Sequence, residues 1–139
     1  MQIDDDNPPP LDELEAAVRY APGDRVAWLR LSDGYALADM FEACIPILQQ
    51  ALRLAPRDPH SHAALGHAFL AIESPREAIP HFEEAKRLDP DPDRAGRRTF
   101  DLAAALDEAG EHAAAVGLFR KALELDRWNA APRRGAKLP

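Results

Sequence analysis

The residues of this chain best suited to chemistry are five histidines (His60, His62, His67, His81 and His112) and one cysteine, Cys44. Imidazoles ligate metals and act as general bases, and a thiolate is a nucleophile, so spacing decides what these groups can do. His60 and His62 are two positions apart and on a helix point in different directions. His60 and His67 share a helical face but lie about 10 Å apart along its axis, too far to hold one metal ion. Cys44 has no histidine at helical spacing to activate it, and a buried, inert thiol is expected. Carboxylates are abundant, yet no two of them pair on an apolar face, so acid–base catalysis has no support. The phosphate loop G-x-x-x-x-G-K, the dinucleotide turn G-x-G-x-x-G, the nucleophile elbow G-x-S-x-G and the zinc helix H-E-x-x-H are all missing from the sequence. The expectation is a non-enzymatic chain that needs no metal or cofactor.

Composition narrows the class further. A chain of 139 residues has the size of one domain, and 46% apolar residues suffice for a core. Aromatics make up only 6%, and alanine carries much of the apolar count, which suits closely packed helices. No apolar run approaches membrane-spanning length, and Met1–Asp6 has neither the basic nor the apolar region of a signal peptide. A single cysteine cannot form an internal disulfide, which fits a reducing compartment or an indifferent one, and a cytoplasmic location is expected. The net charge of −7 disfavours nucleic acid as a partner. Residues 1–15 carry six acids and no base, whereas 127–139 carry four bases and no acid. Two solvated tails are the simple reading; attraction between them is the sharper one.

The elements that position these residues repeat along the chain. Asp58–Pro90 contains Leu65-Gly66, Phe69, Ala78, Phe82, Ala85 and Pro90 in order. Trp28, Leu31-Ser32, Tyr35, Cys44, Leu48, Ala51 and Pro56 form a copy 34 residues earlier, with Trp28 standing at the position of His62. Thr99, Leu102-Ala103, Leu106, Ala115, Phe119, Ala122 and Arg127 form a third copy displaced by 37, so three residues have been added near Asp93–Ala95. This order resembles the tetratricopeptide repeat, a 34-residue helix–turn–helix unit with the pattern W-x-x-L-G-x-x-Y…A-x-x-x-F…P. The resemblance covers residues 25–129 and implies an all-α solenoid of three repeats.

The organisation expected is an acidic, proline-rich lead (1–10), a capping helix (11–24), repeats over 25–58, 59–92 and 93–129, and a basic tail (130–139). Leu11, Leu14, Ala17 and Val18 share one helical face, and Leu14, Ala17 and Pro22 match Phe82, Ala85 and Pro90. The capping helix therefore reads as the second helix of a repeat whose first helix is missing. Gly66 falls where the two helices of its repeat come closest. Pro46, Pro80 and Gly117 occupy one position on the outer face of the second helices, expected close to the helix starts where a missing N–H costs little. Trp128 would cover the open end of the stack.

In the repeat family the inner groove is formed by first-helix side chains turned away from the second helix. Carried over residue by residue, the resemblance implies a groove of Val26, Leu29, Asp33, Ala36 and Leu37, then His60, Ala63, His67, Leu70 and Ala71, then Arg97, Phe100, Ala104, Asp107 and Glu108. Leu29, Leu37, Leu70 and Phe100 are expected to form an apolar strip, with His60 and Arg97 favouring an acidic or carbonyl-rich backbone. Family members that hold the carboxylate tails of heat-shock chaperones use a clamp of lysine, asparagine and arginine here. Leu29 and Asp33 stand at clamp positions in this chain and would not hold a carboxylate. The function implied is a protein-interaction module that takes an extended peptide or partner protein in its concave groove. Self-association as a homodimer or scaffold subunit is the alternative. A layout shared with the three-repeat chaperones of type III secretion gives a third.

Overall fold

A computed structural model describes residues 8–130 of the chain, with side chains through Arg127. The Trp128 side chain, residues 1–7 and the basic tail from 131 lie outside what is described, and so do the expectations attached to them. Seven α helices make up the described residues: α1 (Leu11–Tyr20), α2 (Arg25–Leu37), α3 (Phe41–Leu54), α4 (Pro59–Ala71), α5 (Pro75–Leu88), α6 (Ala95–Glu108) and α7 (His112–Ala130). Each packs on the next along the chain, giving three antiparallel pairs (α2/α3, α4/α5, α6/α7) stacked behind the lone α1. The architecture is an all-α solenoid with an N-terminal capping helix, as the sequence implied.

Local chemistry sets the helix boundaries. Asp24 and Asp58 cap α2 and α4 by accepting from the Val26 and His60 amides at 3.0 and 3.2 Å. Pro59 and Pro75 open α4 and α5, where a missing N–H leaves no bond unmade. Each pair turns in the same way. Asp39, Glu73 and Gly110 take left-handed φ values of 61°, 62° and 92°. The amide of the next residue then reaches back five positions, Met40 to Tyr35, Ser74 to Phe69 and Glu111 to Leu106, each at 2.8 Å. The left-handed residue itself donates to Ala36, Leu70 or Asp107 at 3.0 Å, which completes a Schellman closure three times.

The core lies mainly at the junctions between successive units. Leu14 and Val18 of α1 meet Ala27 and Leu31 of α2. Cys44 and Leu48 of α3 meet Leu65 and Ala68 of α4, and Ala78 and Phe82 of α5 meet Leu102 and Ala105 of α6. Within α4/α5 the helices touch at Gly66, where an added Cβ would stand 2.6 Å from the Phe82 ring. Ala51, Ala85 and Ala122 are buried at equivalent positions of the second helices, but Ala17 in α1 is exposed. Ala122 lies beside Gly96 on the first helix of its own pair, and α1 has no such partner helix among the described residues.

The polar positions repeat less faithfully. Trp28 Nε1 donates to the Pro22 carbonyl at 2.9 Å, and His62 Nε2 donates to the equivalent Pro56 carbonyl at 3.1 Å. The imidazole thus reproduces the indole's bond, and the proton it uses fixes its neutral tautomer. His62 Nδ1 is left to accept from His81 Nδ1 at 3.4 Å. His81 stacks on Phe69 with ring centroids 5.6 Å apart. Pro46 and Pro80 are exposed, but each is the sixth residue of its helix and not part of the first turn. Each therefore removes one intrahelical hydrogen bond, from the Glu42 or Arg76 carbonyl, which corrects the expectation of a start position. The three added residues form a 3-10 turn, Pro92–Arg94, ahead of α6.

Candidate interaction face

The first helix of each pair, α2, α4 and α6, supplies the residues expected to form the groove. Val26 and Leu37 of α2 are 52% and 73% exposed, and Phe100 of α6 is 52% exposed. Leu29 and Leu70 are only partly free. Leu29 packs against the Cys44–Leu48 cluster, and Leu70 against the Ala78–Phe82 cluster. Ala63 is buried and offers no contact surface. The Phe100 ring lies 5.3 Å from that of Phe119 on α7, so α7 holds one of its sides.

The cationic and imidazole groups of this face are engaged from within the protein. An arginine can only donate, so Arg98 Nη2 gives its hydrogen to His60 Nδ1 at 3.2 Å, and His60 keeps its own proton on Nε2. Asp101 is buried and receives two neighbours: His67 Nε2 stands 3.4 Å from Oδ2 and Arg97 Nε 3.7 Å from Oδ1. Both distances are in ion-pair range, but Oδ2 makes no hydrogen bond. The His67 ring also meets Phe82 edge-on at 5.0 Å. Asp107 accepts from His112 Nδ1 at 2.7 Å. His60, expected to favour acids, is thus turned to an internal partner, whereas Arg97 stays 73% exposed with only the 3.7 Å approach to Asp101.

Asp33 differs from these groups. It lies one helical turn from both Leu29 and Leu37 and makes no hydrogen bond or ion pair among the described residues. Burial pushes its carboxyl above the usual range. The neighbouring Cys44 thiol is pushed up chiefly by its own burial and further by the Asp33 charge, against a hydrogen bond from Sγ to the Ser32 carbonyl at 3.3 Å. A thiol so placed is a poor nucleophile.

Behind the face, Asp89 holds the α5–α6 connection. Arg94 grips it with Nε at 2.8 Å and Nη2 at 2.9 Å, and Arg98 Nε reaches it at 3.0 Å. The Arg94 bonds above all keep its carboxyl far below the usual range, against the effect of burial. Reading the sequence missed this cluster and the His62–His81 contact. The signals available were the three-residue addition, which brings in Arg94, and a histidine standing at a tryptophan position. Among the described residues no group of three or more histidine, cysteine or carboxylate side chains is placed to hold a metal, and no helix is long and apolar enough to cross a membrane.

Comparison with known proteins bears on the fold. A family model described as tetratricopeptide repeat matches residues 59–92. No curated protein matches the sequence. Among solved structures, MamA MSR-1 superposes with a TM-score of 0.75 at 26% identity, covering 86% of this chain and 67% of that one. MamA from Desulfovibrio magneticus RS-1 gives 0.78 at 21% identity, covering 87% and 67%. A further MamA crystal structure gives 0.78 at 23% identity, covering 93% and 68%. This chain spans about two thirds of the length of those structures. The matched unit is α4/α5, and the pairs on either side copy its turn and its buried alanine. The chain is a stack of three tandem tetratricopeptide repeats behind a capping helix.

Proposed function

We propose that the chain is a protein-interaction module that takes an extended, partly apolar segment of a partner protein on the face of α2, α4 and α6. The observation that carries this reading is the exposure of Val26, Leu37 and Phe100 on the first helices. Burying a leucine or phenylalanine side chain is worth about 1.5–3 kcal/mol, so two or three such anchors support micromolar binding after the cost of association. Leu70 is a poor site for a test because it also packs on the core. Leu37→Asp and Phe100→Glu are the informative variants. Both are expected to keep the wild-type circular dichroism and to abolish partner capture from the native source. Undiminished capture by both folded variants would place the site elsewhere.

Self-association is the second reading. It is favoured by apolar residues exposed at both ends of the stack, Tyr20 at 92% on α1 and Leu123 at 59% on α7. Light scattering at two concentrations separates the readings, since a mass independent of concentration and equal to one chain excludes the second.

A further inference from the structure

We propose that the segment bound on the α2–α4–α6 face carries a lysine or arginine side chain that seats on Asp33 between two apolar anchors. This rests on the reading of that face as the binding site. Asp33 sits at one turn from Leu29 and from Leu37, so the three share one stripe of α2. An occupant that covers the two leucines also covers the carboxylate. A carboxylate taken out of water must be paired, or its burial opposes binding.

The protein does not supply the pairing cation. The other aspartates of the face and its rear wall have their partners: Asp101 has His67 and Arg97, Asp107 has His112, and Asp89 has Arg94 and Arg98, while Glu108, at the far end of α6, makes no ion pair among the described residues. Asp33 alone among these aspartates has none. Of the positive groups of the face, His60 accepts from Arg98 and His67 faces Asp101, while Arg97, 73% exposed, lies on α6 away from the α2 stripe. The charge left for a ligand to answer at the α2 end is therefore negative. Charge complementarity thus selects a basic, apolar-flanked segment over a neutral or acidic one.

The test uses the full chain and a phage-displayed library of random linear peptides. It is selected in parallel on the wild type, Asp33→Asn, Asp33→Lys and Leu37→Asp, each first checked for wild-type helicity. Wild-type selection is expected to enrich one lysine or arginine flanked by leucine, isoleucine or phenylalanine. Individual enriched peptides are expected to lose about tenfold in affinity on Asp33→Asn, and Asp33→Lys to enrich glutamate or aspartate instead. Peptides that need Leu37 but show no basic preference, and bind Asp33→Asn as well as the wild type, would overturn this inference and leave the binding face standing. No enrichment on the wild type, or binding indifferent to Leu37→Asp, would overturn both.

Discussion

The α3–α4 and α5–α6 junctions do the same job with different chemistry. Both bury two residues of a second helix against two residues of the next first helix: Cys44 and Leu48 on Leu65 and Ala68, then Ala78 and Phe82 on Leu102 and Ala105. At the earlier junction the nearby charge is one pair, Arg25 to Asp58 at 2.9 Å, with the arginine 39% and the aspartate 8% exposed. At the later one Asp89 is 2% exposed and bonded to two arginines, of which Arg98 is 8% exposed. The three added residues account for part of this contrast, because the 3-10 turn they form carries Arg94. A single pair whose cation reaches solvent contributes less than a fully enclosed one. A buried cluster stabilises only as a complete set, since losing one member leaves the others charged and unsolvated.

The largest expected effect tests that contrast directly. Asp89→Ala strands the buried Arg98 and is expected to cost about 3–5 kcal/mol in urea unfolding. Asp58→Ala removes a helix cap, the partner of the buried Ser61 hydroxyl and a part-buried pair, and should cost about 1–2 kcal/mol. Equal losses would show that the two junctions do not differ in kind. Acid gives the same comparison. Asp89 titrates below its ordinary value of 3.8 in the folded protein, so its stabilising contribution is present above that pH and is lost as pH falls through the folded value. The acid-unfolding limb should therefore flatten in Asp89→Asn relative to the wild type.

A smaller effect lies inside the α4/α5 pair that separates the junctions. Gly66→Leu should lower stability by about 1–3 kcal/mol, because the Phe82 ring already occupies the space of a Cβ. Phe82 also belongs to the α5–α6 core, so the damage should spread to that junction and spare α2/α3. Hydrogen exchange resolved by helix would reveal it, and uniform loss of protection would count against separate junctions.

The smallest effect concerns His81, whose pKa is lowered by burial first and by His62 second. A base with a depressed folded value is bound less strongly by protons than its unfolded counterpart. Stability is complete above the ordinary value of 6.5 and declines as pH falls below it toward the folded value. His81→Phe keeps the stack on Phe69 and should remove that decline; thermal melts at pH 7 and pH 5 would register it, and an unchanged difference between them would rule the account out.

The helix pairs, their turns and the half-unit at the N terminus were legible in the sequence because each is written within about one turn of chain. Pro59 and Pro75 mark helix starts, Gly110 marks a left-handed turn, and Leu65, Phe69 and Phe82 mark buried stripes. Two of the three left-handed positions are Asp39 and Glu73, which have no glycine to announce them, and only their alignment with Gly110 points to the turn. The prolines at 46 and 80 misled because a boundary error of two or three residues converts a free amide position into a bonded one.

The groove residues were legible as positions but not in their state. Which side is free depends on what crosses from the next helix, and that is set by the rotation and separation of helices far apart in sequence. His60 meets Arg98 across 38 residues, and His62 meets His81 across 19. No local pattern carries such distances, since side-chain periodicity specifies a face and not the partner it finds. The sequence by itself determined an all-α stack of repeats. Tertiary packing alone decided that Ala63 is buried, that Leu70 is shared with the core, and that Asp33, unlike Asp101 and Asp107, has no partner of its own on that face.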